Sequence, residues 1–102
     1  MRLSYPACFY KDDESDAYAV VVPDLPGCVS GGYSLAEAIL MGVDAASGWV
    51  LTALEKEWSI PPPSRIEDIT PDEDQGSGFV NWIALDIEAY AEKYGYPLPV
   101  HA

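Results

Sequence analysis

Apolar and polar positions fall in blocks along the first third of the chain. Residues 3–10 are rich in aromatic and apolar side chains, residues 17–22 form a compact apolar run, and Lys11-Asp12-Asp13-Glu14-Ser15-Asp16 separates the two. Two such runs about a polar link predict an antiparallel hairpin. Pro23 closes the β-branched stretch 20–22, while Pro26 and Gly27 supply the fixed φ and the permissive backbone of a sharp reversal. A short third strand follows at 28–30, stopped by Gly31-Gly32. Ser34 and Glu37 have S-x-x-E spacing, the signature of a capped helix start, so a long helix is predicted from Leu35 to about residue 57. Leu35, Ile39, Val43, Ala46, Val50 and Leu54 fall on one stripe spaced to face a sheet. Leu40, Met41, Leu51 and Trp58 fall outside that stripe and predict a second contact surface. Gly42 and Gly48 each cost about 1 kcal/mol relative to Ala inside a helix, which predicts close approach of a neighbouring backbone.

Beyond the helix, Pro61-Pro62-Pro63 imposes an extended connector. Ser64 and Glu67 repeat the capping spacing and predict one helical turn. Residues 70–77 read as an acidic loop and residues 79–85 as a fourth strand, dense enough in apolar side chains to be covered on both faces or paired with another subunit. Asp86 is placed to cap a closing helix over 87–94, ended by Gly95 and Pro97. The order is β-β-β-α-β-α. It predicts an α+β domain over residues 1–95, a mainly antiparallel four-stranded sheet with one long helix packed on one face, followed by a tail over 96–102. No repeat or second domain is visible.

Composition narrows the function. The chain has 102 residues, 49% of them hydrophobic, which fits one globular domain. Seventeen acidic residues against five basic ones give a formal net charge of -12. Such a field repels nucleic-acid phosphates and favours encounter with a basic partner. No apolar run is read as approaching the ~20 residues of a membrane span, and Met1-Arg2 opens no signal peptide; a cytoplasmic protein is expected. Cys8 and Cys28, both assigned to strands and lacking metal-type spacing, read as reduced core thiols.

Five segments together resemble one known family: Tyr5-Pro6-Ala7, Pro23-Asp24-Leu25-Pro26-Gly27-Cys28, Ser34-Leu35-Ala36-Glu37-Ala38, Ile60-Pro61-Pro62-Pro63-Ser64 and Leu85-Asp86-Ile87-Glu88-Ala89-Tyr90. They occur in the order and at roughly the intervals seen in the HicB-like antitoxins. The resemblance implies a partial ribonuclease-H-like fold and the binding and inhibition of a small basic HicA-like toxin that cleaves messenger RNA. It also implies sheet order 3-2-1 for the first strands, which separates Cys8 from Cys28 by roughly 10 Å, beyond the ~7 Å Cα limit of a disulfide. Family members commonly continue into a DNA-binding module. Only residues 91–102 follow the match, so direct DNA binding by this chain is not expected.

Catalysis is not expected either. Two-metal phosphodiester cleavage needs converging carboxylates, in this fold including one on the first strand; residues 3–10 contain none, and Asp86 alone reads as a helix cap. The acidic turn fails as a calcium loop, since Ala17 and Pro23 stand where Gly and Glu are required. His101 has no Ser, Cys or acid nearby to form a catalytic set. No metal and no cofactor are expected. The candidate partner-binding residues are Asp12, Asp13, Glu14, Asp16, Asp24 and Tyr33; the candidate interface of a homodimer or higher oligomer is Leu40, Leu51, Trp58, Phe79 and Trp82. Two other readings remain open, a stand-alone oligomeric module binding a ligand or protein and an RNA-binding protein of the same fold. A short basic toxin-like reading frame beside the gene discriminates among the three.

Overall fold

Three strands come first: β1 (Arg2–Lys11), β2 (Tyr18–Val21) and β3 (Val29–Gly32), followed by the long helix α1 (Leu35–Glu55). A crossover with two single 3-10 turns, Ile66–Asp68 and Glu73–Gln75, leads to β4 (Gly78–Asp86) and α2 (Ile87–Tyr94). The computed structural model describes residues 2–98; the tail residues 99–102, His101 among them, lie outside the described residues. One antiparallel sheet has the order β3-β2-β1-β4. The expected fold class and element order are those observed.

Alternation along the strands divides the sheet into two faces. Tyr5, Ala7 and Phe9 share one face with their cross-strand partners Val20, Ile83 and Phe79, and with Leu85 opposite Leu3. With Val22, Leu25, Ala46, Val50 and Ile87, most of these form the buried core beneath α1. Pro6, Cys8 and Tyr10 point the other way and are buried too. There the crossover takes the place of a helix: the backbone N–H of Asp72 donates to the Tyr10 hydroxyl at 2.9 Å and the first 3-10 turn touches β4. Coverage on both faces explains why β1 reads as an unbroken apolar run.

The helix face differs from the expected stripe. Ala38, Gly42, Ala46, Ser47, Val50, Leu51 and Ala53 are buried, whereas Ile39 is 40% exposed. Small side chains face the sheet because the helix sits close to it; a Cβ on Gly42 would lie 3.1 Å from a Val20 methyl. Gly42 and Gly48 thus admit side chains, Val20 and the Tyr90 hydroxyl, and not the expected backbone. Leu51, assigned to an oligomer interface, is only 3% exposed and belongs to this core.

Other boundaries shift for local reasons. Gly31 and Gly32 lie within β3 and do not stop it, while Cys28 precedes the strand. Any Cβ on Gly32 would meet the Ala38 nitrogen at 2.6 Å, so the glycine lets the strand end against the first turn of α1. The capping box forms as expected, Ser34 Oγ accepting from Glu37 N at 3.1 Å, although Glu37 reaches back to the Tyr33 N–H at 2.8 Å. At the other end α1 stops at Glu55, and Glu57 adopts φ 57°. Ser64 does not cap the first 3-10 turn, because its hydroxyl is engaged elsewhere. β4 is covered on neither face over most of its length: only Ile83 and Leu85 are buried. Cys8 and Cys28 are buried free thiols. By length and composition α1 would pass as a membrane span, 21 residues with mean hydropathy 1.3, contrary to the reading that no segment approaches one; here it is the helix packed on the sheet.

Candidate partner-binding surface

Strand register decides which acids and aromatics share a place. Lys11 pairs with Tyr18 and Tyr18 with Gly32, while Tyr10 pairs with Gly78. One end of the sheet therefore gathers the turn 12–16, Tyr33 immediately after Gly32, and the start of β4. Asp72 reaches the same end through the Tyr10 hydroxyl, bringing Glu73 and Asp74 with it.

The turn is ordered by its own bonds. Asp12 Oδ2 accepts from the Glu14 N–H at 3.2 Å and from the Ser15 hydroxyl at 2.9 Å, and Ser15 Oγ accepts from the Ala17 N–H at 3.2 Å. These donors, the Ser15 hydroxyl first, hold the Asp12 carboxyl below its ordinary range. Lys11 Nζ donates to the Ser15 carbonyl at 2.7 Å. Asp12 shapes the loop, and Asp13, Glu14 and Asp16 project exposed from it. Among the described residues no cluster of three His, Cys, Asp or Glu side chains could hold a metal ion. The acidic end acts as a field of exposed charge.

Aromatic surface lies beside this charge. Tyr33 is 88% exposed. Phe79 stacks on Phe9 at 5.3 Å between ring centroids and meets Tyr18 edge-on at 6.3 Å, leaving its outer part in solvent. Tyr18, Asp72, Glu73 and Asp74 were not among the candidates; the acidic composition of 70–77 was visible, but only the register places it beside the first turn.

Asp24 does not join them. Its carboxylate accepts from the Ser64 N–H at 2.8 Å and from the Ser64 hydroxyl, at the opposite end of the sheet. The turn that holds it is stapled by Leu25 N–H to Val22 O at 3.1 Å and Cys28 N–H to Leu25 O at 2.9 Å, with Gly27 at φ 79°. Trp49 Nε1 donates to the Pro26 carbonyl at 2.9 Å, and the Tyr5 hydroxyl donates to the Pro61 carbonyl at 2.6 Å. Burial, and then the Asp24 charge, raise the Tyr5 pKa above 10.0. The Pro-Asp-Leu-Pro-Gly-Cys motif thus fastens the proline crossover to the sheet, and Asp24 is a structural pin. Trp58 lies at this end also, its ring 6.4 Å from Trp49.

Leu40 and Trp82 sit apart from both ends. Leu40 lines a groove of about 300 Å³ with Met41, Val43, Ala84 and Tyr90, and Asp44, Asp86 and Lys93 share its wall. Trp82 is half-exposed on the face opposite α1. Asp86 accepts from the Ala89 N–H at 3.1 Å as the cap of α2, the role expected of it.

A family profile described as the HicB-like antitoxin of bacterial toxin–antitoxin systems matches residues 5–95. The chain belongs to the HicB-like antitoxins. This is a family of regulatory proteins and not of enzymes. An uncharacterized 14.9 kDa protein from the rep-hol intergenic region of Haemophilus phage HP1 is 33% identical over 98 residues, covering 93% of this chain and 72% of that protein. Among solved structures, a toxin–antitoxin complex from Streptococcus pneumoniae superposes with TM-score 0.76 at 28% identity, over 88% of this chain and 73% of that one. The N-terminal domain of the Burkholderia pseudomallei antitoxin HicB gives TM-score 0.69 at 27% identity, over 82% of this chain and 99% of that domain.

Proposed function

We propose that this chain neutralises a small basic HicA-like toxin by binding it, and that the acidic end built from the 12–16 turn and residues 72–74 steers the encounter. Membership of the HicB-like antitoxins over residues 5–95 is the observation that carries the reading. The net charge of -12 supports it, since long-range attraction to a cationic partner raises association rates. The same charge opposes direct binding to DNA or RNA. A cytoplasmic location, where messenger RNA is cleaved, belongs to this reading. The test mixes the purified chain with the toxin encoded beside its gene and follows RNA cleavage. Stoichiometric protection is expected. Unabated cleavage at excess antitoxin, or metal-dependent cleavage by this chain alone, overturns the proposal. Exposed charges steer less as the Debye length falls from ~10 Å at 0.1 M salt to ~3 Å at 1 M, so association should slow with salt more than dissociation quickens.

A further inference from the structure

The crossover from α1 to β4 runs over residues 56–77 without one buried side chain; Ile66, Ile69 and Pro71 reach only half-burial. It passes the Asp24 end of the sheet, where Ser64 is held, and leaves at the acidic end, where Ser77 O accepts from the Lys11 N–H at 3.1 Å. Between these points, among the described residues, one hydrogen bond ties segment 65–76 to the rest of the chain: the Asp72 N–H donates to the Tyr10 hydroxyl at 2.9 Å. Its other bonds are internal, Asp68 and Ile69 closing the first 3-10 turn and Gln75 and Gly76 the second. Gly76 stands at φ 97° with no neighbouring atom within 4 Å of where a Cβ would lie, a free pivot beside the acidic end.

The groups beneath are buried although the segment above is not. Tyr10 is 6% and Cys8 2% exposed, and both point to the face opposite Ala7 and Phe9, away from the core under α1. The Cys8 thiol lies against the Tyr10 side chain. A Cβ on Gly78 would stand 2.8 Å from the Tyr10 ring and 3.0 Å from Pro71, so this glycine seats both. Cys28, by contrast, belongs to the core under α1. Few buried apolar contacts and one latch are the features of a unit that opens locally. Charge works against closure. Residues 65–76 carry five acids against one base, and the latch sets Asp72, Glu73 and Asp74 beside the four acids of the 12–16 turn. Like charges repel, so one hydrogen bond holds together two segments that electrostatics would part.

We infer that segment 65–76 is a strap that opens about Ser64 and Gly76 by releasing the Tyr10 hydroxyl, and that a cationic partner closes it. Closure completes the acidic end, because the latch is what brings residues 72–74 beside the turn. A cation bound between the two acidic segments offsets their repulsion and so favours the closed strap. The coupling is reciprocal: whatever opens the strap weakens the field that the cation meets. The closing step rests on the toxin-binding reading, with the toxin as the cation; the opening does not. Salt does part of the same work in the free chain, since repulsion between exposed acids fades as the Debye length falls from ~10 Å at 0.1 M to ~3 Å at 1 M.

The two native thiols report the two faces of the sheet separately. An uncharged thiol reagent should label Cys8 roughly tenfold or more faster than Cys28, and hardly faster still in low urea. Cys28, released by global unfolding, should follow the urea dependence of the whole domain. Tyr10→Phe removes the latch acceptor and should quicken Cys8 labelling about fivefold, the factor that corresponds to about 1 kcal/mol for one hydrogen bond. Each rate is taken relative to the unfolded chain in denaturant, which cancels differences in thiol reactivity. Added salt should slow Cys8 labelling, and saturating toxin should slow it further. Equal rates and equal urea dependence at both thiols, or a Cys8 rate indifferent to Tyr10→Phe, overturn the strap. A Cys8 rate unchanged by a toxin whose RNA cleavage the chain inhibits overturns the closing step and leaves the antitoxin reading standing. A toxin neither bound nor inhibited overturns the closing step and that reading together, while labelling of the chain alone still decides the strap.

Discussion

Replacing Asp24 separates a structural pin from a partner contact. In Asp24→Ala, the carboxylate that accepts from the Ser64 N–H at 2.8 Å and from its hydroxyl is gone. Hydrogen bonds to charged groups contribute about 1.5–3 kcal/mol each. Asp24 and Ser64 are only half-buried, so solvent takes over part of both bonds and about 2 kcal/mol in total is a fair expectation. For a domain of this size that lowers Tm by about 10 °C. Asp24→Asn retains one acceptor oxygen and should lose about half as much. Ser64→Ala removes the hydroxyl bond alone, about 1 kcal/mol. Because both variants remove that same bond, the double variant should fall short of the sum by about 1 kcal/mol. Thermal denaturation reads these values, and stopped-flow association with the toxin is run beside it. Toxin association should change little in the folded variants. If Asp24→Ala melts like the parent and instead slows association, the pin is refuted and Asp24 faces the partner.

Neutralising Asp13, Glu14 and Asp16 to Asn, Gln and Ser, with Asp12 kept to hold the turn, should lower the toxin association rate and flatten its salt dependence without moving Tm; stopped-flow measurements at two ionic strengths check this. Gly32→Ala would place a Cβ 2.6 Å from the Ala38 nitrogen, and should cost about 3 kcal/mol in chemical denaturation, as overpacking against backbone does. Glu57 holds φ 57° at the end of α1, so Glu57→Gly should raise stability by about 1 kcal/mol. Tyr5 and Tyr10 have pKa values raised above 10.0 mainly by burial. The unfolded phenols ionise first, so their contribution is complete below pH 10 and is lost as pH rises through the folded pKa values; Tyr5→Phe should make this alkaline arm of a denaturation series shallower.

Local chemistry made the element order legible. Ser34, Asp86 and Gly95 each act within one helical turn, so capping rules suffice to find them. The burial of α1 was harder, because periodicity weighs hydrophobicity and the sheet selected size. Ala38, Gly42 and Ala46 let the helix descend onto Val20, which left the bulkier Ile39 and Leu40 turned toward solvent. Asp24 misled for a related reason: a carboxylate in a proline-glycine turn looks exposed until its partner, 40 positions away at Ser64, is known.

The surplus apolar surface has the same origin. Once small residues occupy the sheet-facing stripe, Leu40 cannot be buried within the fold, and it lines a groove with Ala84 of β4. Trp82 stays half-exposed on the edge strand β4, whereas Tyr10 of β1 is covered by the crossover, whose Asp72 N–H donates to its hydroxyl. A groove whose wall includes Asp44, Asp86 and Lys93 and an exposed tryptophan thus flank the edge strand, where Asn81 Oδ1 holds the Trp82 N–H.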